Sequence, residues 1–578
     1  MPMTASPAAS SSVPNDFDAS NWEAIAPVGR GLLERPITSA GEFERWLLDR
    51  SEFDAACSEA RASLYIAMTC HTEDEGASGA YARYLNDVPP RLRPLSFELD
   101  TKQASLHRRF PLDPRRYEVL ERATLVEIEL FRQENVPIMT ELETLSQRYQ
   151  TVVAAMNVTF DGQERTLPQM GAYLQERDRG VRERAWRAVS ERRLRDKDEI
   201  DTIFDRQIAL RATVAANAGF ADFRAYSFRA MHRFDYTPRD CESFHGAVER
   251  HVVPLLRRLN QRRRRELGLE ALRPWDMSVD ERGRDPLRPF TSGDDLLNKT
   301  RAVFSDIGHG LDRLFASLGD NGAPGESLDL DSRKGKAPGG YQYMRARSRR
   351  PFIFMNAAGL HKDVETMVHE AGHAFHSLLC RDEPLVAYRE SPTEFAEVAS
   401  MGLELLSMPA WRQYYPDRSE RGRAVREHLE GSLAVLAWIA QIDAFQHWIY
   451  TRAPAEAGAA RRNEHWLALD GRFGHDCDWT GIEDARRWQW QRQLHLFVHP
   501  FYYIEYGIAQ LGAFGLWLIA LEHGQGHALD LYKRALAMGG SRPLPELFAA
   551  AGLPFDFGDR AVERIVAAVE SELAKLDD

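Results

Sequence analysis

Val364-Glu365-Thr366-Met367-Val368-His369-Glu370-Ala371-Gly372-His373-Ala374-Phe375 carries both the helical periodicity and the chemistry that decide this chain. Val364, Met367, Val368, Ala371, Ala374, Phe375, Leu378 and Leu379 recur at three- and four-residue spacing, which predicts a helix with one buried face. Asp363 is placed to cap its start, Glu365 puts negative charge in the first turn, and Pro384 bounds the pattern downstream. On such a helix His369 and His373 stand about 40° apart and about 6 Å apart along the axis. Both imidazoles then reach one zinc ion at about 2.0–2.1 Å, with Glu370 beside the open coordination position as the proton acceptor for a water. A chance pentad on a solvated helix is the bland alternative, and the apolar face speaks against it. Gly372 lowers helix propensity; a close approach by a neighbouring segment and ordinary tolerance of one glycine account for it equally well.

A zinc of this kind takes a third protein ligand. Ser391 to Glu404 predicts a second helix, with Ser391 as N-cap, Pro392 at the first helical position and Glu394 closing a capping box. Glu397 and Glu404 lie two turns apart and share a face. A buried carboxylate stripe needs partners. Glu397 as the third ligand and Glu404 as acceptor for a ligand histidine supply them; Glu390 and Glu404 compete for the ligand position, and two water-facing glutamates are the plain alternative.

Two further segments carry candidate chemistry. Tyr341 to Arg347 alternates and leads through a basic turn to the apolar run Phe352 to Met355, which predicts a strand pair. Its edge can bind a peptide by strand addition, or it is an ordinary hairpin. In His495-Leu496-Phe497-Val498-His499-Pro500-Phe501-Tyr502-Tyr503-Ile504-Glu505-Tyr506-Gly507, the pairs Tyr503/Tyr506 and Tyr502/Tyr506 can each share a helical face. His495, with His499 as competitor, and these tyrosines are candidate donors to an oxyanion; core packing is the alternative.

Together these segments resemble the thimet oligopeptidase and oligoendopeptidase F family of zinc metallopeptidases, the oligoendopeptidase F branch in particular. His369 to His376 followed by Phe395-Ala396-Glu397-Val398-Ala399-Ser400 is similar to that family's zinc centre. Ala337 to Tyr343, Pro351 to Asn356 and Arg273-Pro274-Trp275-Asp276 extend the likeness over roughly residues 150 to 560. The resemblance implies one zinc per chain on His369, His373 and Glu397, with Glu370 as general base. It implies contacts to the substrate carbonyl from His495, Tyr503 and Tyr506, and substrate binding by Gly340, Tyr341 and Tyr502. The implied fold is mostly α and two-lobed, with a deep channel and a small β-sheet beside the zinc helix. The implied activity is cleavage of internal bonds in short unstructured peptides.

Composition sets the outer bounds. Hydrophobic residues at 44% and charged residues at 28% describe a soluble globular chain, and a net charge of −12 disfavours nucleic acid. The longest apolar run, near Gly507 to Leu521, is interrupted by Gln510 and predicts a core helix rather than a membrane span. Met1 to Ser20 is rich in Ser, Ala and Pro and has no Lys or Arg, which predicts a disordered tail without a secretory signal. A helical region over 21–150 and a peptidase region over 151–578 follow. Loops are expected at Pro89-Pro90, and a hairpin turning at Asp161-Gly162. Five scattered cysteines suit a reducing compartment, with cytoplasm as the default. A zinc carboxypeptidase or dipeptidase on the same pentad would need a fixed arginine or lysine clamp for the terminal carboxylate. A peptide-binding protein without turnover would have no need of Glu370.

Overall fold

Burial of one face holds the His361–Leu379 helix in place: Val364, Met367, Val368, Ala371, Ala374 and Phe375 are all 0% exposed. The computed structural model describes residues 13–14, 16–322, 327–337 and 339–576. Asp363 starts this helix from inside rather than as its cap. Its carboxylate reaches back to accept from the backbone N–H groups of Leu360 (2.9 Å) and Ala358 (2.8 Å), so the helix begins at His361. The second predicted helix is Thr393–Ser407, and here the expected capping fails. The Ser391 hydroxyl meets His376 Nε2 at 2.9 Å instead, leaving the helix without a side-chain cap.

The two helices cross at Gly372. A Cβ there would lie 2.5 Å from the Ala399 carbonyl oxygen and 2.6 Å from Ser400 Cα. Close backbone approach is therefore the reason for the glycine, and the helix accepts its propensity cost for that contact. The Ala399 carbonyl still finds a donor, the Tyr532 hydroxyl at 2.6 Å.

Beside the His361–Leu379 helix lies a three-stranded sheet of β3 (Leu328–Asp331), β4 (Tyr341–Arg345) and β5 (Arg350–Ala357), in the order β3-β5-β4. β4 runs antiparallel to β5, from Tyr341 opposite Phe354 to Arg345 opposite Arg350, and β3 runs parallel to it. β5 is the buried centre, with Phe352, Ile353, Phe354 and Met355 at most 5% exposed. β4 is an edge strand among the described residues. Lys336 ties the sheet together: its ammonium donates to the Asp329 carboxylate (2.9 Å), to the Asp331 carbonyl (2.9 Å) and to the Met355 carbonyl. The remaining strands, β1 (Asn157–Phe160) and β2 (Gln163–Thr166), form the predicted hairpin, with Asp161 and Gly162 at φ 49° and 77° as its tight turn requires.

The chain groups into two compact units, each built from three segments: 1–129, 288–421 and 512–555 in the first, 130–287, 422–511 and 556–578 in the second. In the first unit Phe43, Trp46, Phe53 and Leu99 anchor a helical core. Its helix Glu75–Arg109 runs through Pro94 and through Pro89 and Pro90, where a loop was expected. Burial of Tyr84, Val88, Leu95 and Leu99 along one stripe outweighs the cost of about 3 kcal/mol for an interior proline. Of the expected tail, residues 1–12 and 15 lie outside the described residues. Val13 is 1% exposed and the Phe17 ring sits 6.2 Å from that of Phe53, so this part packs on the core. Tyr503–His523 is one helix long and apolar enough to cross a membrane, more than the interrupted run suggests, and 72% of its apolar window is buried within the protein.

Gly372→Ala forces two helix backbones apart. The expected loss is about 1–3 kcal/mol of unfolding free energy, read from the midpoint of a denaturant titration. An unchanged midpoint would show that the crossing is not tight.

Candidate metal centre

Within the first unit, the crossing at Gly372 brings three side chains to one point: His369, His373 and Glu397 offer donor atoms that all lie within 4.8 Å of one another. The Glu397 carboxylate is 3.4 Å from His369 Nε2 and 3.6 Å from His373 Nε2, and the two imidazole rings meet edge to face at 4.9 Å. Ser400, one turn further along, donates to the same carboxylate oxygen at 3.0 Å. Behind the centre, His369 Nδ1 and Glu404 Oε1 are 2.6 Å apart. A carboxylate only accepts, so Nδ1 carries a proton, and Nε2 is the nitrogen turned to the centre, open to a metal once it gives up its own proton.

Electrostatics set the two histidines apart. Burial opposes a charge on His369, but the Glu404 hydrogen bond and the Glu397 charge outweigh it and raise its pKa to about 9. Burial lowers His373 to about 4. Glu370 is 6% exposed, and burial pushes its carboxyl up to about 7 against the pull of His369. The backbone N–H of Gln342, on β4, also faces the Glu370 carboxylate. The edge strand is thereby set beside the glutamate. Gly340, at the start of that strand, has room for no side chain without crowding Thr366, 3.1 Å from a virtual Cβ. Tyr341 is held by stacking on Phe354 (4.8 Å, 9°) and by a 2.6 Å hydrogen bond to the Thr69 hydroxyl.

Two imidazoles and a carboxylate, each with a ligand atom turned to a common point, match the donor set of a catalytic zinc. Glu404 and Ser400 orient these donors from behind. The residues fit a zinc ion. His376 is not part of the set: burial takes it down to about 3, and it holds Ser391.

In the second unit His495 sits among Tyr503 (ring centroids 4.9 Å), Tyr502 (5.8 Å) and Tyr506 (5.8 Å), with His499 further off at 6.4 Å. Two residues not singled out in the sequence fix its tautomer. The Trp438 indole donates to Gln493 Oε1 at 2.9 Å, which turns the Gln493 amide N–H toward His495 Nδ1 at 2.8 Å. An indole can only donate, so the amide has one orientation, Nδ1 accepts, and Nε2 carries the proton as a donor. Burial raises the Tyr503 hydroxyl above its ordinary value, which keeps it protonated. Gln493 precedes the histidine by two residues, a signal too generic to read without the tryptophan that orients it.

This frame has known counterparts. The model of Peptidase family M3 matches residues 172–565, and the chain belongs to that family. It is similar to Group B oligopeptidase PepB of Streptococcus agalactiae serotype III (strain NEM316), 23% identical over 333 residues, covering 56% of this chain and 53% of that protein. It is also similar to an oligoendopeptidase F homolog of Lactococcus lactis subsp. lactis (strain IL1403), 25% identical over 335 residues, with 57% and 53% covered. Among solved structures, PZ peptidase A with inhibitor 2 aligns at a TM-score of 0.88 and 26% identity over 97% of this chain and 98% of that one. The chain spans about half the length of the curated relatives it matches.

Glu404→Ala removes the acceptor that orients His369. Zinc affinity, measured by competition with a chromophoric chelator, is expected to fall about 10–100-fold. Unchanged affinity would show that Glu404 does not support the ligand.

Proposed function

We propose that this chain is a zinc-dependent endopeptidase that hydrolyses internal bonds of short, unstructured peptides. The observation that carries the reading is the convergence of His369, His373 and Glu397 with buried Glu370 beside them, in a member of Peptidase family M3. Zinc held by those three ligands would supply a Lewis acid that polarises a carbonyl and acidifies water.

The chain's own residues do the rest. Glu370 takes a proton from the attacking water and hands it to the leaving amine. The β4 edge, from Gly340 and Tyr341 onward, takes the peptide backbone by strand addition, which reads main chain rather than side chains. His495 Nε2–H, with Tyr503 and Tyr506, donates to the oxyanion of the tetrahedral intermediate, and Tyr502 lines the peptide. Five free cysteines suit action in a reducing compartment such as the cytoplasm.

Glu370→Gln keeps the shape of the side chain and loses the base. Turnover is expected to fall by at least about 10²–10⁴-fold with zinc still bound. Product masses from a peptide blocked at its N-terminus test the reaction class: fragments from internal cleavage, abolished by chelator and restored by zinc, are expected. Stepwise trimming from the C-terminus would instead assign a carboxypeptidase.

A further inference from the structure

Inside the second unit, the helix Arg179–Arg195 and the turn Gln489–Arg492 bring two arginines to the wall of one cavity of about 400 Å³. Arg193 is half-buried and Arg492 is more open to water, on a wall otherwise rich in tryptophan: Trp186, Trp438, Trp479 and Trp488. Among the described residues neither guanidinium donates a hydrogen bond or pairs with a carboxylate; Arg492 only stacks over the Trp438 ring, its carbon 4.8 Å from the centroid. Two other buried arginines of this unit pair with carboxylates, Arg182 with Asp276 (3.0 Å) and Arg462 with Asp201 (3.0 Å). The carboxylate in the cavity wall, Asp470, is taken by Arg486 at 2.5 Å.

Two like charges facing one apolar-walled space repel each other. An anion between them would relieve that repulsion. A guanidinium fork matches a carboxylate in two parallel hydrogen bonds, and indole faces cover an apolar side chain next to it. Arg492 also stands three residues before His495, so the cavity adjoins the histidine-tyrosine cluster through one short stretch of chain.

We propose that this cavity is a carboxylate subsite, in which Arg193 and Arg492 hold a carboxylate of the bound peptide while the tryptophans cover the neighbouring side chain. The proposal rests on the reading of the chain as a peptidase. The carboxylate can be the peptide's C-terminus or an Asp or Glu side chain, and the two sources are separable. In either case cleavage remains internal, and the subsite selects which peptides bind tightly.

One peptide sequence is prepared in three forms: a free C-terminal acid without acidic side chains, its C-terminal amide, and the amide with one Glu near the C-terminus. KM and kcat are measured for the wild type, Arg193→Met, Arg492→Met and the double variant. Binding of the same peptides to Glu370→Gln is followed by calorimetry. The wild type is expected to show a lower KM for the free acid, or for the Glu-bearing amide, than for the plain amide, which identifies the source. In the double variant KM for that form rises about 10–100-fold with kcat little changed, while the plain amide loses far less. Arg193→Lys and Arg492→Lys keep the charge without the fork and are expected to lose an intermediate share; they carry the test if a methionine variant does not fold. Equal KM for all three forms in the wild type overturns the proposal, as does an equal loss for acid and amide in the variants. A wild type that binds the acid form through these arginines yet cleaves no peptide leaves the subsite standing and removes the peptidase reading.

Discussion

At Gly372 one helix backbone lies against the next with no side chain between them, and the geometry of the metal centre depends on that contact. His369 and His373 come from one helix and Glu397 from the other, so their separation is set by the distance between the helix axes. A Cβ at 2.5 Å from the Ala399 carbonyl would push Glu397 away from both imidazoles by a large fraction of an ångström or more. Metal ligands tolerate about 0.2 Å. The crossing is also held from its far side, where Tyr532 donates to the same Ala399 carbonyl and Ser400, the next residue, donates to Glu397. One stretch of two residues thus contributes to the packing contact and to the orientation of a ligand.

A second constraint is charge. Glu370, Glu397 and Glu404 bring three carboxylates into one small region, and Glu370 and Glu397 are buried. In a low-dielectric setting such groups stay ionised only if cations or donors answer them. The protein answers unevenly: Ser400 for Glu397, His369 for Glu404, and for Glu370 the Gln342 N–H and the His369 charge, which leave its pKa raised to about 7. A divalent ion at the three ligands would complete the compensation and bring Glu370 back toward ionisation. The contrast with Lys336 is instructive. That buried ammonium is matched by Asp329 and three backbone carbonyls and has nothing left to offer a ligand, which marks it as a part of the sheet.

What could be read from the sequence was what lies within one or two turns of helix. His369 and His373 share a face because of helical pitch alone, and Glu397 and Glu404 do for the same reason, so each pair was legible from its spacing. The β4–β5 pair and the Asp161-Gly162 turn were equally local. Features set by distant partners were not. Ser391 looks like a helix cap until His376 claims its hydroxyl. Pro89 and Pro90 look like a loop until the stripe Tyr84, Val88, Leu95 and Leu99 is seen to be buried. Gly372 was ambiguous because its neighbour lies 27 residues along the chain, at Ala399. The two compact units, each assembled from three separated segments, leave no compositional boundary to find.

The second unit repeats the theme of one residue constraining two others. Trp438 gives its indole N–H to Gln493 and its face to Arg492. The first contact orients the amide, and the amide fixes which nitrogen of His495 carries a proton. The second places a guanidinium at the cavity wall. An indole N–H cannot accept and an aromatic face favours a cation, and the same indole and amide also face the Tyr503 hydroxyl. The stretch from Arg492 to His495 is therefore tied to a side chain 55 residues away. Its polar groups take their orientation from contacts within the unit, and a donor oriented by such contacts needs no ligand to fix its tautomer.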